Sequence, residues 1–307
     1  MKNEIIKFWY RLTNKVKYLE IRNGLREEKK KKQYNGSIES ELLKVRDKIA
    51  SQDVVSFSHS GHLGDLMYAL PIIKELSKTK TCNLYVKVNQ EYNGNYFKHP
   101  SGNIMISERA FSMLLPLLKE QNYLNNVKIH TAETIDVDLD FFRALPISNQ
   151  FHSFRWYFHI VGKQADMTVP YLDVEPHKII KNKIVIVRTF RARNVFINYK
   201  FLSKYNDLLF LGTKAEYDDL KKDIPNLEFY DVKDFLELAQ IIKACRFYIS
   251  NQTFAYAIAE GLKVPRLLEA YPDYPVMFPT TNNGYDFYFQ QHFEDYVQNL
   301  YDITEDE

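Results

Sequence analysis

The chain has 307 residues and a formal net charge of +2, and 45% of its residues are hydrophobic, 15% aromatic and 26% charged. At roughly 100–200 residues per domain, this length predicts two domains or one large one. The apolar content can bury a large core and excludes wholesale disorder, and the ten glycines exclude collagen-like repeats. Cys82 and Cys245 lie far apart and outside any CxxC motif, so we predict free thiols rather than a disulfide or a structural zinc site.

The N-terminal segment is strongly basic. Residues 1–48 contain 14 Lys and Arg but 7 Asp and Glu, so this segment carries +7 and the rest of the chain −5. Apolar residues recur at helical spacing between these charges. They are Ile5, Ile6, Trp9, Leu12, Val16 and Leu19. The pattern fits a basic amphipathic helix on an anionic membrane, and it also fits a helix packed on the body or a dimerisation helix. The run Lys29–Lys32 followed by Asn35–Gly36 predicts a helix end and a turn, with a second helix over 38–49.

Neither a membrane span nor a secretory signal is visible in the sequence. No window approaches 18 consecutive apolar residues, and charged residues interrupt the apolar residues of the first 18 positions. We therefore expect a cytoplasmic protein, with any membrane contact being peripheral and made at the inner face by residues 1–48.

From residue 53 the pattern alternates between strands and helices. The predicted strands are 54–57, 83–88, 127–130, 135–140, 183–188, 207–212, 227–232, 247–250 and 266–269. The predicted helices are 66–76, 108–120, 151–161, 214–223, 234–244 and 253–263. Such alternation predicts an α/β fold with parallel sheets, and a proline-bearing break over 170–176 divides it into two Rossmann-like lobes. We expect a helical arm over 1–50, a first lobe over 51–175 and a second lobe over 176–307, with ligands bound in the cleft between the lobes.

The first candidate motif lies between the first strand and its helix. It contains Gly61, His62, Gly64 and Asp65 in the segment Ser58 to Asp65. Glycines at a strand-to-helix turn let the backbone approach a ligand and direct helix N–H groups at it. A carboxylate in this position either caps the helix or acts as a general base on a hydroxyl in the cleft. We favour the base, and His62 either assists the binding of the compound that carries this hydroxyl or is an inert loop histidine.

The second and third motifs follow strands of the second half. Arg188, Arg191 and Arg193 come directly after an apolar strand, and guanidinium groups placed there are suited to phosphate oxygens. A solvated basic loop is the alternative. Further on, a strand ends at Ser250 and a helix begins near Thr253. Small polar residues there can cap the helix and present N–H groups to a diphosphate, although a capped core helix would show the same pattern.

Together these motifs resemble the GT-B glycosyltransferases, and most closely the ADP-heptose:lipopolysaccharide heptosyltransferases of glycosyltransferase family 9. The family's Gly-Asp helix start corresponds to Gly64-Asp65 through Pro71, and its glycine before an acidic helix corresponds to Gly212 with Glu216. A further helix, 235–244, and the segment Asn251 to Ala259 follow in the family's order.

The resemblance implies a role for each motif. Asp65 takes the place of the acceptor-activating base, with Gly61, His62 and Gly64 on the acceptor side. The second lobe takes the donor. The residues expected there are Arg188, Arg191, Arg193, Gly212, Asn251, Gln252, Thr253 and Phe254.

Three positions depart from the family pattern. Asn251 replaces its Asp, Thr253 its Gly and Tyr256 its His, and the family's usual lysine-bearing phosphate loop is arginine-rich here.

The expected reaction is an inverting transfer from a nucleotide-sugar to a carbohydrate or lipid-linked hydroxyl, without a cofactor and without a metal. A catalytically inactive scaffold and another nucleotide-sugar enzyme such as an epimerase are the alternatives. The run Asp136-Val137-Asp138-Leu139-Asp140 contains two DxD matches that would suit a metal site, but a strand with one solvated acidic face or with acceptor contacts is the preferred interpretation.

Overall fold

The structure is a computed structural model, and it describes residues 2–91, 102–145, 154–274 and 276–305. The N-terminal arm consists of three helices, α1 (Lys2–Thr13), α2 (Lys15–Gln33) and α3 (Glu39–Ser51). A π-helical turn over Tyr34–Ile38 joins α2 to α3, so the turn predicted at Asn35–Gly36 is wrong and the helical path continues there. No helix within the described residues combines the length and apolarity needed to span a membrane.

The first lobe contains a four-stranded sheet. Its strands are β1 (Val54–His59), β2 (Thr81–Val86), β3 (Asn126–Ile129) and β4 (Val137–Asp138). They are all parallel and lie in the order β3-β2-β1-β4. The helices of this lobe are α4 (Leu63–Ser77), α5 (Glu108–Lys119) and α6 (Phe154–Val161). The first three residues of the helix predicted over 151–161 lie outside the described residues.

The strand predicted over 135–140 is much shorter than expected. Only Val137 and Asp138 pair with β1, and a 3-10 turn follows over Leu139–Ala144. The turn begins where the carboxylate of Asp138 accepts a hydrogen bond from the backbone N–H of Asp140 at 3.1 Å. This local bond competes with continued strand pairing, so the three aspartates do not share one strand face.

The second lobe contains a six-stranded parallel sheet in the order β10-β9-β8-β5-β6-β7. Its strands are β5 (Ile184–Val187), β6 (Leu208–Leu211), β7 (Glu228–Tyr230), β8 (Phe247–Asn251), β9 (Arg266–Glu269) and β10 (Gly284–Phe287). The helices are α7 (Lys214–Leu220), α8 (Phe235–Lys243), α9 (Phe254–Leu262) and α10 (Gln290–Glu305). Strand β10 and helix α10 were not predicted from the sequence.

One hydrophobic core extends through both lobes. It includes strand residues of both sheets, such as Val55 and Tyr248, and the inward faces of α4, α8 and α9. A second core lies on the other side of the second sheet, beneath α10. The prediction of two Rossmann-like lobes with an N-terminal helical arm is therefore confirmed.

Candidate functional site

The turn after β1 places Asp65 in the first turn of α4. One carboxylate oxygen of Asp65, Oδ2, accepts a hydrogen bond from the backbone N–H of His62 at 3.2 Å. His62 in turn donates from Nδ1 to the carbonyl oxygen of Met105 at 3.0 Å, which fixes the residue that precedes the helix. Asp65 is half-buried, so part of the residue remains accessible. The capping role is present in the structure, and the partial exposure is compatible with the base role.

A buried histidine is hydrogen-bonded to the backbone of this turn. The Nδ1 atom of His59 accepts a hydrogen bond from the N–H of Gly61 at 2.8 Å, and its Nε2 lies 2.8 Å from the hydroxyl of Tyr157. That hydroxyl donates to the backbone oxygen of Asp65 at 3.0 Å. Because Nδ1 is an acceptor, the proton of the neutral ring is on Nε2 and is donated to Tyr157.

The sequence patterns indicated no role for His59 or Tyr157. Burial lowers the pKa of His59, which is consistent with a neutral ring, although nearby Asp140 and Asp65 act in the opposite direction. The available signal was a histidine at the end of a buried strand. Tyr157 gave no comparable signal, because it lies 92 residues beyond Asp65 in a helix rich in aromatic residues.

The two glycines of the turn differ in their surroundings. A Cβ atom on Gly61 would lie 2.5 Å from the ring carbon Cε1 of His59 and 3.0 Å from the Cβ of Asp65. Gly61 is therefore required for the close packing of the turn over the histidine. A Cβ on Gly64 would meet nothing within 4 Å, so the space beside Gly64 is open.

The three aspartates in and beside β4, the neighbour of β1, are held by basic side chains and backbone groups. Asp138 forms an ion pair with Lys87 at 3.1 Å, and Asp140 forms one with Arg143 at 2.6 Å. Asp136 accepts a hydrogen bond from the backbone N–H of Ser56 at 2.9 Å. These contacts occupy carboxylate oxygens that a metal would need, which disfavours the DxD interpretation.

The arginine-rich loop after β5 directs its three arginines differently. Arg188 is buried, and its Nε and NH2 groups contact the carboxylate of Glu269 at 2.7 and 2.9 Å. Arg193 forms an ion pair with Asp219 at 2.7 Å and also donates to the backbone oxygen of Thr189 at 2.9 Å. Arg191 is exposed. Arg188 and Arg193 are therefore engaged in ion pairs within the lobe, whereas Arg191 lies at the surface.

Asn251, at the end of β8, holds the backbone of this loop. Its side-chain oxygen accepts from the N–H of Thr189 at 3.1 Å, and its amide nitrogen donates to the carbonyl oxygen of Arg191 at 2.6 Å. The same nitrogen lies 3.1 Å from the carbonyl oxygen of Thr189 and 3.3 Å from that of Ala192. An aspartate, the residue of the family pattern, has no N–H to donate to these carbonyls. The asparagine is thus matched to the arginine loop.

The helix start after β8 is capped as predicted from its residue types. The Oγ1 atom of Thr253 accepts from the N–H of Tyr256 at 3.1 Å and lies 3.0 Å from the hydroxyl oxygen of Ser250. Gln252 donates to the backbone oxygen of Tyr274 at 3.2 Å. Thr253 therefore lies in the interior of the strand-to-helix turn, whereas Gln252 reaches across to the next loop.

A cavity of about 350 Å³ opens beside these turns. Four of the predicted donor residues line it, namely Arg191, Gly212, Thr253 and Phe254, together with other second-lobe residues at the carboxyl ends of β5 and β6. Met113 of α5 is the first-lobe residue in this lining. Among the described residues, Arg188, Arg193, Asn251 and Gln252 do not line it, and neither do Gly61, His62, Gly64 and Asp65.

Gly212 gives this cavity its shape at the end of β6. Its φ of 151° is favoured by glycine, and a Cβ there would lie 2.9 Å from the ring of Phe210. The next residue, Thr213, caps α7 with its Oγ1 and donates to the carboxylate of Glu216 at 2.8 Å. Both Thr213 and Glu216 also line the cavity, so its wall combines hydroxyl and carboxylate groups with apolar side chains.

Two Rossmann-like lobes with parallel sheets and a cavity at strand ends define the GT-B class of fold, and the comparisons with solved structures agree. The E. coli heptosyltransferase WaaC with ADP is similar at a TM-score of 0.53 and 11% identity, over 81% of this chain and 98% of that one. E. coli ADP-heptose LPS heptosyltransferase II is similar at a TM-score of 0.51 and 8% identity, over the same shares. No protein-family model matches the sequence, and a search of curated proteins gave no significant match. At such identities the likeness confirms the fold that the motifs predicted.

The prediction that no metal takes part needs correction. A structural neighbour, the dodecameric glycosyltransferase TibC from enterotoxigenic E. coli, is described as iron-containing, at a TM-score of 0.48 and 14% identity over 75% of this chain and 62% of that one. An iron site requires several His, Cys or carboxylate ligands. Across the described ranges, no group of three or more such side chains could hold a metal ion. The described residues therefore do not fit an iron centre.

Proposed function

We propose that the protein is a glycosyltransferase that moves a sugar from a nucleotide-sugar to a hydroxyl group of an acceptor. The cavity at the carboxyl ends of β5 and β6 carries this proposal, because it brings together Arg191, Gly212, Thr253 and Phe254. Its volume of about 350 Å³ lies within the usual range of small-molecule sites. The similarity of the fold to heptosyltransferases supports the same class of ligand.

In this proposal the second lobe holds the donor diphosphate. The guanidinium group of Arg191 pairs with phosphate oxygens, and the start of α9 at Thr253 presents backbone N–H groups to them. Arg188, Arg193, Asn251 and Gln252 contribute by fixing the loops that carry these groups. Positive charge at the leaving diphosphate then stabilises the negative charge that develops there as the sugar departs.

The first lobe supplies the base. Asp65 takes the proton of the acceptor hydroxyl while the hydroxyl oxygen attacks the anomeric carbon of the sugar. The bond from that carbon to the diphosphate breaks, and the diphosphate leaves with the electron pair, so the configuration at the carbon inverts. Gly61, His62 and Gly64 form the acceptor side of the turn, and the open space beside Gly64 supports this assignment.

The remaining parts of the proposal concern organisation and location. We assign residues 1–50 to the arm, 51–175 to the acceptor lobe and 176–307 to the donor lobe. The positions of the strands support this division, since β1 to β4 lie between residues 54 and 138 and β5 to β10 between 184 and 287. The acceptor is a carbohydrate or a lipid-linked glycan, and the protein is cytoplasmic with peripheral membrane contact through residues 1–48.

A thermal-shift screen against a panel of nucleotide-sugars tests the donor site. A ligand that binds the folded state raises the Tm by mass action, so one or more members of the panel should stabilise the protein. Arg191→Ala removes a charge-assisted contact worth about 1.5–3 kcal/mol and should weaken this binding by about 10- to 150-fold. Lys181→Ala is the matched control, because this exposed lysine lies near the amino end of β5, away from the cavity.

The stabilising nucleotide-sugar is then incubated with candidate acceptors. Acceptor-dependent release of nucleotide with formation of a glycoside is expected. Binding without any turnover would identify an inactive binding protein, and conversion of the sugar without transfer would identify an epimerase. If no nucleotide or nucleotide-sugar shifts the Tm, the proposed donor site is wrong.

A further inference from the structure

Helix α1 carries a continuous apolar face that the other described residues leave exposed. Ile5, Phe8, Trp9 and Leu12 are spaced as neighbours on one side of a helix, and their exposures are 68%, 64%, 57% and 72%. Single exposed apolar residues are common, but four on one face of a 12-residue helix form a patch that requires an explanation. Val16, at 66% exposure, extends the apolar surface into α2.

The helix is also set apart from the body. It ends at Thr13, and Asn14 leaves helical geometry with a φ of −152° and a ψ of 96° before its side chain caps α2 through the N–H of Lys17. Helix α2 contains no buried residue, and from residue 5 onwards the first buried one is Ile38. The arm contacts the body through a hydrogen bond from Gln33 to the backbone oxygen of Ala144 at 3.3 Å and is buried against it from Ile38 onwards, so α1 can lie against a surface without unfolding the core.

The arm also carries many basic residues outside the apolar face. Lys7 and Arg11 lie on α1, Lys15 and Lys17 begin α2, and Lys29–Lys32 follow at its end. Residues 1–48 carry a net charge of +7. A helix with an apolar face bordered by lysines and arginines binds in the interfacial plane of a bilayer, where anionic headgroups attract the charges.

We propose that α1 is a membrane-binding helix that lies in the interface of a bilayer containing anionic lipids. Ile5, Phe8, Trp9 and Leu12 enter the boundary between headgroups and acyl chains, and the basic residues contact the headgroups. This inference assigns one element to the membrane contact proposed above for residues 1–48. It does not depend on the chemistry of the donor site.

The alternative is that the apolar face of α1 binds a second copy of the chain. Charge argues against it, because pairing two arms would bring two segments of +7 together, whereas an anionic surface neutralises them. Trp9 is also of the residue type enriched at membrane interfaces, where an amphipathic ring can remain partly hydrated.

The test uses the full-length protein and vesicles of phosphatidylcholine, with or without about one-third phosphatidylglycerol. We expect binding to the anionic vesicles, weaker binding at high salt because charges are screened, and little binding to the neutral ones. The fluorescence of Trp9 should shift to the blue on binding. The chain has two tryptophans, and the other, Trp156, is buried, so the change reports on α1.

The decisive variant is the double substitution Ile5→Asn/Leu12→Asn, which keeps every charge. It should bind anionic vesicles at least tenfold more weakly while leaving the Tm unchanged, because neither side chain belongs to the core. Ile179→Asn is the matched control, since Ile179 is 87% exposed but lies outside the arm, and it should bind as the original protein does.

Two results would overturn the proposal. Unchanged vesicle binding by the double variant would mean that charge alone attracts the arm. Absence of vesicle binding, together with a dimer that the double variant dissociates, would assign the face to a second copy. Neither measurement uses a nucleotide-sugar, so failure of the donor-site proposal would leave this outcome unaffected, and the reverse is also true.

Discussion

The proposed chemistry depends most directly on the carboxylate group of Asp65. Asp65→Asn keeps an oxygen that can accept the N–H of His62, so the start of α4 should be preserved. The amide cannot take a proton from an acceptor hydroxyl. We expect turnover to fall by about 10²–10⁴, the usual contribution of a general base, with the fold and donor affinity nearly unchanged.

The measurement is glycosyl transfer at saturating donor, accompanied by a donor titration followed by thermal shift. Ser107→Ala, which removes the cap of α5, provides a control for loss of a helix cap elsewhere in the first lobe. It should lower the Tm slightly and leave the rate constant unaffected. Transfer by Asp65→Asn at close to the original rate would remove Asp65 from the mechanism.

At the scale of elements, His59 joins β1, α4 and α6 through Gly61, Asp65 and Tyr157. Burial lowers its pKa below the ordinary value of 6.5. Below about pH 6.5 the unfolded chain therefore binds a proton that the folded protein does not, so the free energy of unfolding decreases as the pH falls from 6.5 towards the folded-state pKa. Above pH 6.5 this contribution to the pH dependence is absent.

His59→Asn should remove this part of the pH dependence. Asparagine keeps an acceptor near the position of Nδ1 but does not titrate. Urea unfolding at pH 7.5 and pH 5 gives the two free energies, and we expect a smaller loss on acidification in the variant than in the original protein. Tyr157→Phe is the control, because it removes both hydrogen bonds of the hydroxyl but leaves the histidine titratable. Equal losses with and without His59 would show that the histidine is not responsible.

The sequence predicted elements well where apolar periodicity was strong. The buried strands β5, β6, β8 and β9 were located to within about two residues, because a run of apolar residues ending in polar ones marks a strand of a parallel sheet. Strand β10 was missed because its residues, Gly284–Phe287, are half polar and lie at the edge of the sheet. The break at Asn14 was missed because the apolar spacing continues across it.

The candidate site was predictable in its location but not in the orientation of its side chains. Three arginines after β5 indicated an anion site, yet Arg188 turns inward because Glu269, 81 residues away, is fully buried and supplies its counter-charge. Burying a carboxylate without a counter-charge is strongly unfavourable. The ion pair between Arg188 and Glu269 therefore outweighs the tendency of a loop arginine to face solvent. A partner so distant along the chain cannot be recognised from the residues of a local motif.

At the scale of the molecule, the two lobes are joined through a segment that packs on α9. The backbone N–H groups of Tyr171 and Leu172 both lie within hydrogen-bond distance of the carbonyl oxygen of Gly261, at 2.9 and 3.1 Å. The hydroxyl of Tyr123, from the first lobe, donates to the backbone oxygen of Tyr171 at 2.7 Å. Together with the shared core, these contacts predict that the lobes unfold in a single transition.

Gly261→Ala tests this junction. A Cβ at this position would lie 2.7 Å from Cδ1 of Leu172 and 2.8 Å from the ring of Tyr171, so the segment must move away from α9. Overpacking of this kind costs about 1–3 kcal/mol, and we expect a lower Tm in calorimetry with one transition retained, because the core still spans both lobes. Gly24→Ala is the matched helical control: its Cβ would meet nothing within 4 Å, and the better helix propensity of alanine should leave the Tm equal or higher. Separation of the transition of Gly261→Ala into two would show that the lobes are independent folding units and that this segment, rather than the shared core, couples them.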